Sequence, residues 1–298
     1  MNGVLVLDKP SGPTSHDVVA RVRRATGVAR IGHTGTLDPL ASGVLPLVLG
    51  RASRLAQFLV AGEKEYEAGI RLGLETDTCD ITGRAVERPD GPPVEPPDAD
   101  AIGRLLAEFV GTRLQEPPAF SAKKIAGTRA YALARRGTPV RPAAVPVTLA
   151  RIDLIEADAG RLRLRLVCSA GFYVRSLARD LGRRLRTGAC LESLRRLRSG
   201  AFGLDRAVAL DRVEADPHAA GAALIPMAGL LQELPGLVLT TDGARRAAQG
   251  NLIGPAHLRE SAPVPAGRVR LLDEQGRLLA IAEATGVPGF LHPGIVVG

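Results

Sequence analysis

"RIGHTGTLDPLASGVLPLVLG", residues 30–50, puts one carboxylate, Asp38, into a stretch with four glycines and sets an apolar run, Val44–Leu49, directly behind it. Residue chemistry allows two readings. Asp-Pro in a glycine-rich loop is ordinary turn chemistry, with the carboxylate accepting from nearby backbone amides. Alternatively, the glycines let a ligand and the backbone approach closely while the apolar wall excludes water, and the carboxylate serves as nucleophile or base. The second reading requires a cationic partner to keep Asp38 ionised. "GFYVRS" (171–176) supplies a candidate in Arg175, with Tyr173 two residues earlier. His33 reads most simply as a turn residue.

Outward from this loop the chain alternates strands and helices. "GVLVLD" (3–8) is a short strand, and Ser15 is placed to cap a helix with Val18, Val22 and Ala25 on one face, stopping near Gly27. Pro46 argues that the apolar run is an edge or irregular strand. A helix over 51–60 presents Leu55, Phe58 and Leu59. In "EKEYEAGIRLG" Lys64, Tyr66, Ala68, Ile70 and Leu72 alternate with charged residues, so Tyr66 lies on the apolar face of a strand. "PDGPPVEPP" (89–97) is a loop, and Ile102, Leu105, Leu106 and Phe109 mark an amphipathic helix. Residues 113–146 are basic and rich in Pro and Gly, an excursion from the main domain with a short helix near Thr128–Arg136. "RLRLRLV" (161–167) is a strand with leucines on one face and arginines on the other, followed by a helix through Leu177, Leu181 and Leu185. From about Leu234 the pattern changes to a compact β-rich module, with a helix in "DGARRAAQG" and a hairpin turning near Glu274–Gly276.

Composition narrows the class of function. The 298 residues are 45% apolar and 23% charged, enough for one large and one small globular unit. No apolar stretch is long enough to span a bilayer, and "MNGVLVLDKP" reads as a first strand rather than a signal peptide. Three widely spaced cysteines, Cys79, Cys168 and Cys190, fit a reducing cytoplasm better than a disulfide framework or a zinc site. There is no HExxH, Walker or dinucleotide fingerprint. The net charge is +8, and eleven arginines lie between Arg161 and Arg198 against two acids, Asp180 and Glu192. Such clustering is the footprint expected for a polyanion partner. Residue chemistry alone therefore reaches a basic α/β protein that binds RNA or DNA and holds a candidate Asp–Arg site.

The ordered strings "NGVLVLDKPSGPTSHDVV", "GHTGTLDPLASGVLPL", "EYEAGIRLG", "GFYVRSLARDLG" and "LRRLRSG" closely resemble the successive motifs of the bacterial tRNA pseudouridine-55 synthase (TruB-type) family, over about residues 2–200. The resemblance implies a mixed, largely antiparallel central sheet flanked by helices over 1–232. It makes 113–146 an RNA-gripping insertion and 233–298 a PUA-like RNA-binding domain. It implies that a uridine in the T-loop of tRNA is isomerised to pseudouridine. Asp38 would be the catalytic aspartate, Tyr66 would stack on the uracil and take its C5 proton, and Arg175 would hold Asp38 ionised. His33, Tyr173 and Leu194 would surround the flipped nucleotide, with Lys9 and Pro10 supporting the floor. Phe172 departs from the family, which usually has a small polar residue there. No cofactor or metal is implied, and the expected partner is the tRNA T-arm, met by a monomer with no membrane. A guide-RNA-dependent subunit and a non-catalytic tRNA-folding chaperone are the alternatives.

Overall fold

The computed structural model describes residues 1–86, 98–120, 124–125, 128–129, 142–158, 160–260 and 265–298. Strand β1 (Gly3–Lys9) leads into helix α1 (Ser15–Thr26). The cap is Thr14 rather than Ser15: its hydroxyl accepts from Asp17 N, and Asp17 answers onto the Thr14 amide. Gly27 then ends the helix in the left-handed conformation, as its position predicts. Ser15 is released from capping for a different contact, described with the site below.

Strands β2 (Ile31–His33), β3 (Ser42–Leu49), β4 (Lys64–Leu72), β5 (Gly111–Gln115), β8 (Val145–Asp158), β9 (Arg161–Cys168) and β10 (Ala189–Ser199) join β1 in one large, mostly antiparallel sheet. Its main path runs β1-β3-β10-β4-β9-β8-β5, with a short parallel strand, Val208–Ala209, outside β1. Pro46 is therefore not at an edge. On one side β3 pairs with β1 (Val6 opposite Pro46). On the other side its partner changes from β10, at Ser42 and Gly43, to β2, at Leu47–Leu49. The missing proline N–H falls at that change of neighbour, and the Pro46 carbonyl is still used, accepting from Thr34 N at 3.1 Å.

Segment 51–60 is helical but begins as a 3-10 turn, Gly50–Leu55, before helix α2 (Ala56–Val60). Helix α3 (Ala99–Ala107) buries Ile102 and Leu106 as its spacing predicts, and Phe109 beyond it is buried too. The proline-rich 89–97 lies outside the described residues. Within 113–146, Thr128–Arg129 (β7) pairs with Lys124–Ile125 (β6) as a short hairpin, not as the start of a helix. The rest of that expected helix, 130–136, lies outside the described residues. Helix α4 (Val174–Arg184) packs Leu177 and Leu181 against the sheet.

The chain from Gly236 forms a second, four-stranded sheet of Gly236–Val238, Arg268–Leu272, Leu278–Ala284 and Leu291–Val296, with the helix Thr241–Ala248 beside it. The hairpin turn at 274–276 is held by Asp273, whose carboxylate accepts from the Gln275 and Arg277 amides. This sheet keeps a core of its own, and Leu278, Ile281 and Val297 also pack against Val4, Val44 and Leu55 of the first unit. Among the described residues no helix is long and apolar enough to cross a membrane.

The arginine cluster is placed otherwise than its charge count implies. Arg163 lies 3.3 Å from Glu67 and 3.2 Å from Glu156, Arg165 lies 2.7 Å from Glu65, and Arg161 lies 3.0 Å from Glu192. Arg198 shares Glu65, and Arg195 meets Asp8 at 2.7 Å. These are cross-strand neighbours on one sheet face, so five of the eleven arginines form a lattice of ion pairs there.

Candidate active site

A cleft of about 220 Å³ opens over the opposite face of β4 and β10. Because residues paired across antiparallel strands share a face, Tyr66 on β4, Leu166 on β9 and Arg196 on β10 point to the same side. Tyr66, Lys64, Leu194 and Arg196 line the floor, with Asp38 and its loop on one wall and Phe172, Tyr173 and Arg175 on another. β10 reaches this geometry through bulges at Glu192 and Leu197, which reset the alternation between Leu191 and Ser193 and again between Arg196 and Arg198.

The Asp38 loop is held by the segment before α1. Ser15 Oγ donates to Leu37 O at 3.0 Å and accepts from Leu37 N at 2.9 Å, so the residue next to Asp38 is pinned by its buried neighbour. Gly12 N donates to Pro39 O at 2.8 Å, and Ala41 N closes a turn onto Asp38 O at 3.0 Å. The glycines have separate jobs. Gly35 has φ of +145°, and Gly43, at φ +101°, lies where a Cβ would come within 2.2 Å of Arg196 O. The second glycine therefore lets β3 close against β10.

Asp38 faces Arg175 at the start of α4. Arg175 Nη2 donates to Asp38 Oδ1 at 3.1 Å, and Nε lies 2.8 Å from Oδ2, in ion contact but off the line of a hydrogen bond. Arg175 is buried, with 6% of its side chain exposed, whereas Asp38 retains 35% and opens to the cleft. The remaining guanidinium donors are also used: Nη1 donates to Thr78 O at 3.0 Å and Nη2 to Phe120 O at 2.9 Å. A cation in the first turn of a helix opposes the macrodipole, so these acceptors must hold it there.

Asp80, which sequence reasoning missed, supplies a second carboxylate 3.6 Å from Arg175 Nη1. It is nearly buried and anchored by Thr78 Oγ1 at 3.0 Å, Thr82 N at 3.0 Å and Thr82 Oγ1 at 2.6 Å. Its loop docks on β10 through Ile81 N to Leu191 O and Leu191 N to Cys79 O, with Cys79 at φ +60°. A clue is present in "TDTCDITG": Thr, Asp and Gly in a short run mark a side-chain-braced loop. Gln115 is likewise new. From β5 its amide accepts from Tyr173 N at 2.8 Å and donates to Tyr173 O at 3.1 Å, fixing the residue before α4.

Of the residues named from the sequence, Asp38, Tyr66, Tyr173, Arg175 and Leu194 converge on the cleft. Lys9 and His33 do not line it. Lys9 is fully buried behind the loop, donating to Pro10 O at 2.8 Å and Pro39 O at 3.4 Å, so it braces the backbone beside Asp38 from below. Burial lowers Lys9 to about 8, with Asp38 partly offsetting it. His33 lies at the root of the loop, its ring edge-on to His16 at 5.6 Å. Burial pushes the Tyr66 phenol up, and the Arg196 charge beside it pulls the other way. Among the described residues no group of three His, Cys, Asp or Glu side chains could hold a metal ion.

Comparison with known proteins places the chain. Residues 23–174 match the TruB family pseudouridylate synthase N-terminal domain, and 175–232 match the tRNA pseudouridylate synthase B C-terminal domain. The chain thus belongs to the TruB family of pseudouridylate synthases, which are isomerases. It is 41% identical to the tRNA pseudouridine synthase B of Solibacter usitatus over the whole of both chains. It is 43% identical to that of Aromatoleum aromaticum, covering 98% of this chain and 92% of the relative. Among solved structures it resembles a Cbf5-Nop10-Gar1 complex at a TM-score of 0.70 and 26% identity, covering 99% of this chain and 85% of that one. It shares a fold with a chain of an H/ACA RNP bound to a substrate RNA containing 2'-deoxyuridine, at 0.73 and 24%, with the same coverage.

Proposed function

We propose that the chain isomerises the uridine at position 55, in the T-loop of tRNA, to pseudouridine, with Asp38 as the reacting carboxylate. One observation carries this reading: a carboxylate open to a cleft, held by a buried guanidinium, over a floor that contains Tyr66. The reaction breaks the N1–C1′ bond, turns the detached uracil and joins C5 to C1′. It is redox-neutral and loses no group, so its chemistry asks for no cofactor. The enzyme must extract the base, activate it and exclude water.

Extraction costs a few kcal/mol of unstacking, which stacking on Tyr66 helps to offset. Arg175 orients Asp38 through two nitrogens. Asp38 can then attack C1′, attack the ring or remove a ribose proton, and its exposed edge serves each. On this reading Tyr66 also takes part in removing the C5 proton. Tyr173 and Leu194 bound the nucleotide, His33 and Lys9 shape the loop behind it, and Phe172 extends the apolar wall.

The acting unit on this reading is a monomer. The second sheet supports a division at about residue 232, with 233–298 as a PUA-like RNA-binding module, and 113–146 gripping the T-arm. Three buried free cysteines suit a reducing cytoplasm. The test is release of tritium from a bare T-arm stem–loop labelled at uridine C5, with no guide RNA and no cofactor. Release that disappears when the target uridine is replaced by cytidine is expected. Tight binding without release would favour the chaperone reading, and release only with a guide RNA would favour the guide-dependent one.

A further inference from the structure

Among the described residues, two buried cations in the cleft floor have no carboxylate to match them. Lys64, 5% exposed, and Arg196, 1% exposed, both line the cleft. Lys64 Nζ donates to Val60 O and Gly62 O, and Arg196 donates from Nε to Val44 O at 2.7 Å and from Nη2 to Gly35 O at 3.2 Å. Arg196 also stands opposite Tyr66 in the pairing of β10 with β4. Among the described residues neither cation is paired with an acid, unlike Arg175 with its two aspartates and the arginines of the opposite face.

The two lie under one point of the loop. A Cβ on Gly35 would stand 3.7 Å from Arg196 Nη1 and 4.0 Å from Lys64 Cε. Their hydrogen bonds leave one donor on the Lys64 ammonium and others on Arg196. Burial first, and then Arg196, lowers Lys64 to about 8, so it still carries its charge at neutral pH. Burying charge without a partner is costly, and the cost is recovered only when negative charge arrives at the floor. A backbone phosphate, bulky and hydrated, is suited to the rim. A planar base stacked on Tyr66 is suited to the floor beside Arg196.

We infer that Lys64 and Arg196 form a cationic floor that stabilises the uracil ring as an anion while it is detached from the ribose. This rests on the function proposed above. When the N1–C1′ bond breaks, its electron pair stays with the ring and spreads over N1, O2 and O4. The ribose carbon is satisfied by Asp38, which bonds to C1′ or takes a ribose proton that it later returns. C5 then bonds to C1′, the C5 proton leaves to water, and N1 gains one, so the account closes without an added reactant. Lys64 and Arg196 meet the charge where it develops, as donors in an oxyanion hole do.

The test compares two stem–loop substrates, one with uridine and one with 5-fluorouridine at the target position, in single-turnover cleavage read as loss of the starting nucleoside. The fluorine makes the departing ring a better anion. Lys64→Met is expected to slow uridine cleavage on the order of a hundredfold, with RNA affinity changed only a few-fold. On 5-fluorouridine the deficit should shrink about tenfold or more, and Lys64→Arg should recover most of the rate. Arg196→Gln and Arg196→Lys form a second pair with the same expected order. Replacing an unmatched buried cation by an apolar side chain is tolerated by folding, and a thermal melt checks each variant. An equal deficit on both substrates, or a loss confined to affinity, overturns the inference while leaving the proposed function intact. A wild-type protein inert on the uridine stem–loop removes both.

Discussion

Strand β4 separates two sets of charges that look alike in the sequence. On one face Glu65 and Glu67 meet Arg165, Arg198 and Arg163, half-exposed and matched one against another. On the other face Lys64 and Tyr66 meet Arg196, buried and, among the described residues, without an acid, while Arg175 is shared between Asp38 and Asp80 beside them. The first set contributes little free energy per pair, because water and salt screen it. In the second, the cations are desolvated and their position matters. Arginine number therefore says little about function here, and the face of the strand on which an arginine lies says much.

Substitutions on the two faces should differ accordingly. Arg175→Lys is expected to have the largest effect, lowering single-turnover rate by about a hundredfold or more, because an ammonium cannot reproduce the planar contact with Asp38 and the carbonyls of Thr78 and Phe120. Rapid-quench assays at saturating enzyme would measure it. Asp80→Asn keeps the shape of the loop and removes one charge from Arg175, so about a tenfold fall is expected, with stem–loop affinity unchanged.

A smaller effect is expected in stability against pH. Lys64 titrates near 8 in the folded chain and near 10.5 when unfolded. Between these values the unfolded chain holds more protons, so raising the pH favours folding. Cys168, pushed up by burial to about 12, acts in the opposite direction above its ordinary 9.0. Urea melts from pH 8 to 9 should thus show wild type gaining up to about 1 kcal/mol relative to Lys64→Met. Least of all, Arg163→Gln on the paired face should cost below about 1 kcal/mol and leave turnover unchanged. A large loss of activity there would undo the distinction between the faces.

Much of the site was legible because its signals are local. The Asp38 loop, the alternation that puts Tyr66 on the inner face, and Arg175 at the start of a helix all follow from short patterns, and their convergence followed from the family resemblance. β10 was not read as a strand, because its two bulges break the period of two that marks one. Arg196 went with it, since it is one of the eleven arginines whose clustering reads as the footprint of a polyanion partner. Asp80 was missed because its value lies in a contact with Arg175, far along the chain. Pro46 misled because edge placement is only one way to spare a proline its missing donor. The arginine cluster pointed to a polyanion partner, but its count could not show the carboxylates from other strands that pair with part of it.

The central claim is that Asp38 does the chemistry while the RNA is held by other groups. The most direct measurement pairs single-turnover tritium release with equilibrium binding of the same T-arm stem–loop, for wild type and Asp38→Asn. Release that vanishes while the dissociation constant stays within a few-fold is the predicted result. Release that persists in Asp38→Asn, or activity and affinity lost in equal measure, would contradict it.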